Sequence, residues 1–75
     1  MARIEVESEI TGRVWKIVTE TGTKVSEGDT LLILESMKME IPLESPCSGT
    51  VRELLLNEGD SVNEDQVVAI VDTTT

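Results

Sequence analysis

The sequence of 75 residues has no histidine, phenylalanine or tyrosine, and it has one cysteine and one tryptophan. The cysteine, Cys47, cannot form a disulfide within the chain, and without histidine a conventional zinc site lacks most of its ligands. No serine or cysteine has an evident base partner, so the usual nucleophile-plus-base sites cannot be assembled. These absences predict a protein that is not itself an enzyme, with no catalytic residues and no metal.

Basic residues and long apolar runs are also scarce. Fifteen Asp and Glu against six Lys and Arg give a net charge of −9 at pH 7, which repels phosphate backbones and anionic lipids. No apolar run approaches the roughly 20 residues of a membrane span, and the first residues lack the apolar stretch of a signal peptide. We expect a cytoplasmic protein that binds neither nucleic acid nor membrane.

The apolar residues that are present make up 39% of the chain, which is too much for a disordered tail. With aromatics nearly missing, they imply a core of Val, Ile and Leu. A chain of this length has room for one marginal core, so we predict a single domain over residues 1–75.

An internal repeat divides this domain. The sequence aligns with itself without gaps at an offset of 37 residues, which indicates two equivalent halves at about 1–37 and 38–74. The identical pairs are Ile4 and Ile41, Glu7 and Glu44, Ser8 and Ser45, Gly12 and Gly49, Val14 and Val51, Gly22 and Gly59, Val25 and Val62, Glu27 and Glu64, and Ile33 and Ile70.

Both halves show the pattern of short strands rather than of helices. Apolar and polar residues alternate near 3–7 and 39–44, while 30–35 and 67–72 are almost continuously apolar. Further strands are predicted at 13–18 and 50–56, and residues 73–75 are predicted to be a frayed tail. The sequence therefore predicts an all-β fold, a flattened eight-stranded barrel or sandwich with quasi-twofold symmetry and two four-strand halves.

The joint between the halves is an unusual turn. A tight hairpin at Met37-Lys38 should prefer Asn-Gly, Asp-Gly or Gly-X, because those residues accept a positive φ. Conflicts of this kind tend to occur at functional positions. A solvated lysine amine is protonated almost all of the time at neutral pH, so Lys38 is interpreted as the substrate of another enzyme. The alternative is a solvated loop lysine with Met37 and Met39 filling the edge of the core.

The segment Glu35-Ser36-Met37-Lys38-Met39-Glu40 resembles the Glu-Ala-Met-Lys-Met attachment motif of biotinyl domains, the biotin carboxyl carrier family. The resemblance extends from about Ile4 to Asp72 and includes the Glu-Gly-Asp turns. Ser36 replaces the usual Ala, and the gap-free repeat leaves no room for the thumb that some carriers insert in the first half. The resemblance is therefore to a thumbless carrier.

This resemblance implies a barrel-sandwich hybrid fold with biotin joined covalently to Lys38 by biotin protein ligase. It also implies that the carrier moves carboxyl groups between a biotin carboxylase and a carboxyltransferase. Glu35, Met37 and Met39 are the residues expected to be recognised by the ligase, since Met adapts to varied apolar surfaces. An ordinary solvated strand residue remains the alternative for Glu35, and packing against the barrel edge for the methionines.

Two other functions stay open. Lipoyl carriers of 2-oxo acid dehydrogenases share the fold but usually have Asp before the lysine and Ala after it, which favours biotin here. The second alternative is an unmodified barrel-sandwich module that serves only in protein interaction.

Two single-copy residues can be placed from the repeat. Trp15 aligns with Arg52, which indicates a partly exposed position, and a partial role in the core is preferred for it over a contact patch. Cys47 aligns with Ile10, which suits a half-buried apolar place rather than a redox site.

Overall fold

Residues 2–73, the part of the chain that this computed structural model describes, form eight strands and contain no helix. The predicted all-β fold is therefore confirmed. The strands are β1 (Arg3–Glu7), β2 (Gly12–Ile17), β3 (Lys24–Val25), β4 (Thr30–Ser36), β5 (Met39–Glu44), β6 (Gly49–Leu54), β7 (Ser61–Val62) and β8 (Val67–Thr73).

Two four-stranded antiparallel sheets form the sandwich, and each takes strands from both halves of the sequence. Their strand orders are β1-β8-β6-β3 and β5-β4-β2-β7. Moving each strand of the first sheet to its partner in the repeat produces the second sheet. The predicted quasi-twofold symmetry is thus confirmed, and the two halves are interleaved.

The repeat also holds at the level of single residues. The bounds of β6, β7 and β8 are those of β2, β3 and β4 shifted by the repeat offset. A bulge follows Val14 in β2, and another follows Val51 in β6. Gly22 and Gly59 share a positive φ, at 94° and 93°.

The core lies between the sheets and is built from aliphatic side chains, as expected. The apolar runs of β4 and β8 have the same alternation of fully buried and half-buried positions, and these two strands supply most of the fully buried side chains. The buried apolar residues are Val6, Val14, Val25, Leu31, Leu32, Leu34, Val51, Val62, Val68, Ala69 and Val71. Ile10 and Cys47 both pack, half-buried, against this core, as the repeat predicted.

Two strands are shorter than their apolar sequence suggested. The predictions ran to residues 18 and 56, but β2 ends at Ile17 and β6 ends at Leu54. Val18 and Leu55 each donate one more backbone hydrogen bond, to the carbonyls of Leu31 and Val68. Their side chains are 44% and 43% exposed, so apolar character at these positions does not mark a buried strand.

The end of β8 corrects a further prediction. Thr73 was expected to begin a frayed tail, but it is the last residue of β8 and pairs with Gly49. Its backbone N–H donates to the carbonyl of Ala2, and its hydroxyl accepts from the N–H of Ala2. Residues 74 and 75, also assigned to that tail, lie outside the described residues.

Close backbone contact, rather than a turn, explains why glycine occupies positions 12 and 49. A Cβ atom at Gly49 would collide with the backbone carbonyl of Asp72, and one at Gly12 would collide with that of Glu35. Glycine is needed at both positions because the backbones of the paired strands lie unusually close together there, β2 against β4 and β6 against β8.

Among residues 2–73 there is no helix of the length and apolar character that a membrane span requires.

Gly49→Ala is expected to lower the free energy of unfolding by about 3 kcal/mol, because the new methyl group meets backbone that has no room to move. Gly22→Ala is the matched control, since the space around Gly22 is open and only left-handed strain of roughly 1 to 2 kcal/mol is added. Urea denaturation of both variants measures the difference. Equal losses of stability would contradict the close-contact explanation.

Candidate functional site

A two-residue turn joins β4 to β5 and carries the candidate lysine. Ser36 and Met39 are the last paired residues of the two strands, so Met37 and Lys38 make the whole turn. Their φ angles are 51° and 67°. Positive φ at both central residues is the requirement of the type I′ hairpin turn, whose twist matches that of its strands.

This geometry confirms that Met37 and Lys38 stand where a tight hairpin turn prefers Asn or Gly. A residue with a Cβ atom loses roughly 1 to 2 kcal/mol in the left-handed region, and Asn or Gly is the usual solution. Within residues 2–73, Asp65 is the one other residue besides glycine that has a positive φ. The turn therefore holds Met and Lys at a local cost in stability.

Both methionines project into solvent. Met37 is 91% exposed and Met39 is 63% exposed, and Lys38 between them is exposed as well. The alternative in which the methionines fill the edge of the core is therefore wrong. The hairpin instead presents a primary amine with flexible apolar surface on both sides.

Acidic side chains occupy the next row of the hairpin. Glu35 lies opposite Glu40 in β5 and opposite Arg13 in β2, and all three residues are exposed. The ion pair found among residues 2–73 is Arg52 with Asp72, so Glu35 and Glu40 have none. Their carboxylates remain available to a partner.

A shallow groove of about 400 Å³ runs beside the turn. Ser36 helps to hold one wall, because its hydroxyl donates to the backbone carbonyl of Thr11 at 3.2 Å. This contact gives the residue in the position of the usual Ala a structural role. The groove is lined by Thr11, Gly12, Arg13, Glu35, Ser36, Met37, Lys38 and Ser61.

Sequence reasoning did not place Thr11, Arg13 or Ser61 beside Lys38. They arrive through the pairing of β2 with both β4 and β7. Register between distant strands is determined by pairing in the folded sheet and leaves no local sequence signal. The glycine at position 12, which the close approach to the backbone of Glu35 requires, is the one trace of this neighbourhood in the sequence.

Trp15 occupies the partly exposed position that the repeat indicated, but it differs from the rest of its prediction. It is 46% exposed and does not belong to the half-buried apolar residues that pack against the core. The preferred partial role in the core is therefore wrong.

A larger cavity lies elsewhere, between the edge strands β1 and β5, and has a volume of about 680 Å³. Acidic side chains dominate its wall, and neither Lys38 nor the methionines take part. The carboxylates are those of Glu5, Glu7, Glu9, Glu27, Glu44 and Asp65. Within the described residues, no group of three or more His, Cys, Asp or Glu is arranged to hold a metal ion.

What the hairpin can do chemically follows from these surroundings. The groove beside Lys38 is shallow and does not enclose the amine, so Lys38 is not organised to act as a nucleophile by itself. Its exposure on a narrow turn suits entry into the active site of another enzyme.

Comparison with known proteins gives an independent view of the chain. The biotin/lipoyl family model, described as "Biotin-requiring enzyme", matches residues 5–71. The chain is 43% identical over 63 residues to the biotin/lipoyl attachment protein of Bacillus subtilis, covering 84% of this chain and 86% of that protein. It is 34% identical over 67 residues to the biotinylated protein TB7.3 homolog of Mycobacterium leprae, covering 89% of this chain and 94% of that protein.

A solved structure supports the same relation. The urea carboxylase of Kluyveromyces lactis superposes on 96% of this chain with a TM-score of 0.91 and 36% identity. The match covers 6% of the urea carboxylase chain. This chain therefore resembles one domain of that large protein and nearly the full length of the two small ones.

Lys38→Gly is expected to raise the free energy of unfolding by about 1 kcal/mol, because glycine adopts a positive φ without steric cost. Lys24→Gly, in β3, is the matched control and should lower it by about 0.5 to 1 kcal/mol. Urea denaturation compares both with the wild-type chain. A Lys38→Gly variant less stable than the wild type would show that the turn is not strained.

Proposed function

The chain belongs to the biotin/lipoyl attachment family, and from this premise we propose that it is a biotin carboxyl carrier with Lys38 as the attachment residue. In this proposal Nζ of Lys38 would be acylated at the active site of a biotin protein ligase, where ATP activates the carboxyl group of biotin and the activating group leaves as the amide forms. Held on Lys38, biotin would supply the group that carries a carboxyl between a biotin carboxylase and a carboxyltransferase.

The observation that carries the proposal is the geometry of the hairpin. Lys38 lies at the tip of a type I′ turn between two exposed methionines, Met37 and Met39. The family match spans this hairpin, and relatives that the chain covers almost completely include one named as biotinylated. A strained turn that exposes one amine is useful if that amine must enter an active site, and folding alone gives no reason for it.

This chain contributes the presentation of Lys38 to other enzymes, while the attached biotin and the partner enzymes supply the chemistry. Tethering keeps the carboxyl group near both active sites, so that its transfer depends on an effective concentration rather than on free diffusion. The chain residues that act are those of the hairpin, which hold Lys38 clear of the sheets.

Recognition by the ligase is proposed to depend on Glu35, Met37 and Met39. The two methionines add apolar surface that can adapt to the wall of an active site. Glu35, which has no ion pair among the described residues, can accept hydrogen bonds or pair with a cation of the ligase. Glu40, its register partner, offers a second carboxylate in the same row.

Incubation with biotin protein ligase, ATP and biotin is expected to add one biotinyl group to the chain, as measured by intact mass. Lys38→Arg should remain unmodified, because the guanidinium keeps the positive charge but lacks the primary amine that the ligase acylates. The chain has two other lysines, and a Lys16→Arg/Lys24→Arg variant is the matched control that should gain one group. A wild-type chain that stays unmodified by a demonstrably active ligase would overturn the proposal.

Met37→Asp together with Met39→Ala is expected to reduce the rate of biotinylation at Lys38 at least about tenfold, because both apolar contacts with the ligase are lost. This change produces the flanking residues that are usual in lipoyl domains. If the chain were instead a lipoyl carrier, lipoate attachment by a lipoate ligase would be fast in the wild type and in the variant. The test therefore compares both ligases on both chains by intact mass.

A further inference from the structure

Trp15, the single aromatic residue of the chain, is positioned by a bulge in β2. Val14 pairs with Leu34 and Lys16 pairs with Ile33, so Trp15 is the extra residue between them. Its side chain is 46% exposed. Burial of so large an apolar side chain would be strongly favourable, yet nearly half of it remains exposed.

The repeat supplies an internal reference for this position. Arg52 is the corresponding bulge residue of β6, and its guanidinium lies 3.0 Å from a carboxylate oxygen of Asp72. Asp72 corresponds to Glu35. The second half therefore closes this surface with an ion pair, whereas in the first half Trp15 and Glu35 occupy the corresponding positions and Glu35 has no ion pair within residues 2–73.

Outside the Met37-Lys38-Met39 hairpin, the other large exposed apolar residues do not break the repeat. Val18 and Leu55 correspond to each other and are 44% and 43% exposed, which indicates a common feature of the scaffold. The difference between Trp15 and Arg52 has no such explanation, because the backbone around them is equivalent. It occurs in the sheet that carries Lys38.

We infer that Trp15 and Glu35 form a docking surface for the biotin protein ligase, and this inference rests on the proposed function. The complementary surface of the ligase would have an apolar recess for the indole, flanked by Lys or Arg for the carboxylate. Charge favours such a partner, because the chain carries a net charge of −9 and neither Glu35 nor Glu40 is paired within residues 2–73.

Distance places Trp15 inside the area that a ligase must cover. The bulge lies about four residues along β4 from the turn, or roughly 13 Å at the usual rise per residue. A standard interface buries about 800 Å² on each partner, equal to a disc of about 16 Å radius. An interface of that size centred on the turn therefore extends as far as Trp15.

The ligase is favoured over the two carboxyl-transferring enzymes for a geometric reason. It acts on the amine itself and must contact the hairpin closely. The other two act on the far end of the attached group, so their surfaces can stay farther from the sheet.

Trp15→Arg is the most informative substitution, because it copies the arrangement of the second half and offers Glu35 the ion pair that Asp72 has. It should reduce kcat/KM for biotinylation by about tenfold, a loss in the range expected when an interface tryptophan is removed. Trp15→Ala removes the indole alone and should give a similar loss. Biotin protein ligase, ATP and biotin are the probe, and biotinylated chain is quantified by mass.

Arg52→Trp is the matched control on the other sheet and should leave kcat/KM unchanged. Reaction of Lys38 with an amine-reactive ester, followed by peptide mass mapping, measures the accessibility of the amine without an enzyme and should be equal in all variants. Unchanged kcat/KM in both Trp15 variants, or an equal loss in the ester reaction, would overturn the docking surface while leaving the carrier function in place. A wild-type chain that gains no biotin would overturn the carrier function and this inference together.

Discussion

Interleaving of the two halves is the constraint on which the rest of the structure depends. A four-strand half has no partner for its apolar face, and each sheet forms by combining strands from both halves. The buried runs of β4 and β8 lie inside different sheets and face one shared core. Neither half can therefore fold around its own residues, and most of the contacts that stabilise the domain join residues distant in sequence.

The tight turn at Lys38 is a consequence of that arrangement. β4 ends the first half and β5 begins the second, yet the two strands are neighbours in one sheet, so the chain must reverse within two residues. The type I′ geometry then requires a positive φ at Met37 and Lys38. Met and Lys carry a steric cost in this geometry that Asn or Gly would avoid, so these residues are explained by something other than folding.

The repeat made much of this fold predictable from sequence, because one offset relates the strands, the bulges and several turns. The hairpin was predictable for the same reason, since the joint between equivalent halves has a defined position. Contacts across strands were not, and Thr11, Arg13 and Ser61 border Lys38 only because of register. The partial exposure of Trp15 was predictable from the charge of its repeat partner, Arg52, but its separation from the core was not, because the bulge in β2 that positions it is known only from the strand pairing.

Departures from the repeat can be separated by whether the backbone explains them. Asp65 stands where the first half has Gly28, and both have a positive φ; aspartate is among the few residues that tolerate this region, so the exchange has a structural reason. Trp15 and Arg52 occupy equivalent bulges in β2 and β6. Only Arg52 forms an ion pair, with Asp72. Where the backbone is equivalent and one half gives up such a contact in favour of exposed apolar surface, stability is not the property being served. The side chain is then best explained by an interaction outside the domain, and its position in the sheet of Lys38 indicates which interaction that is.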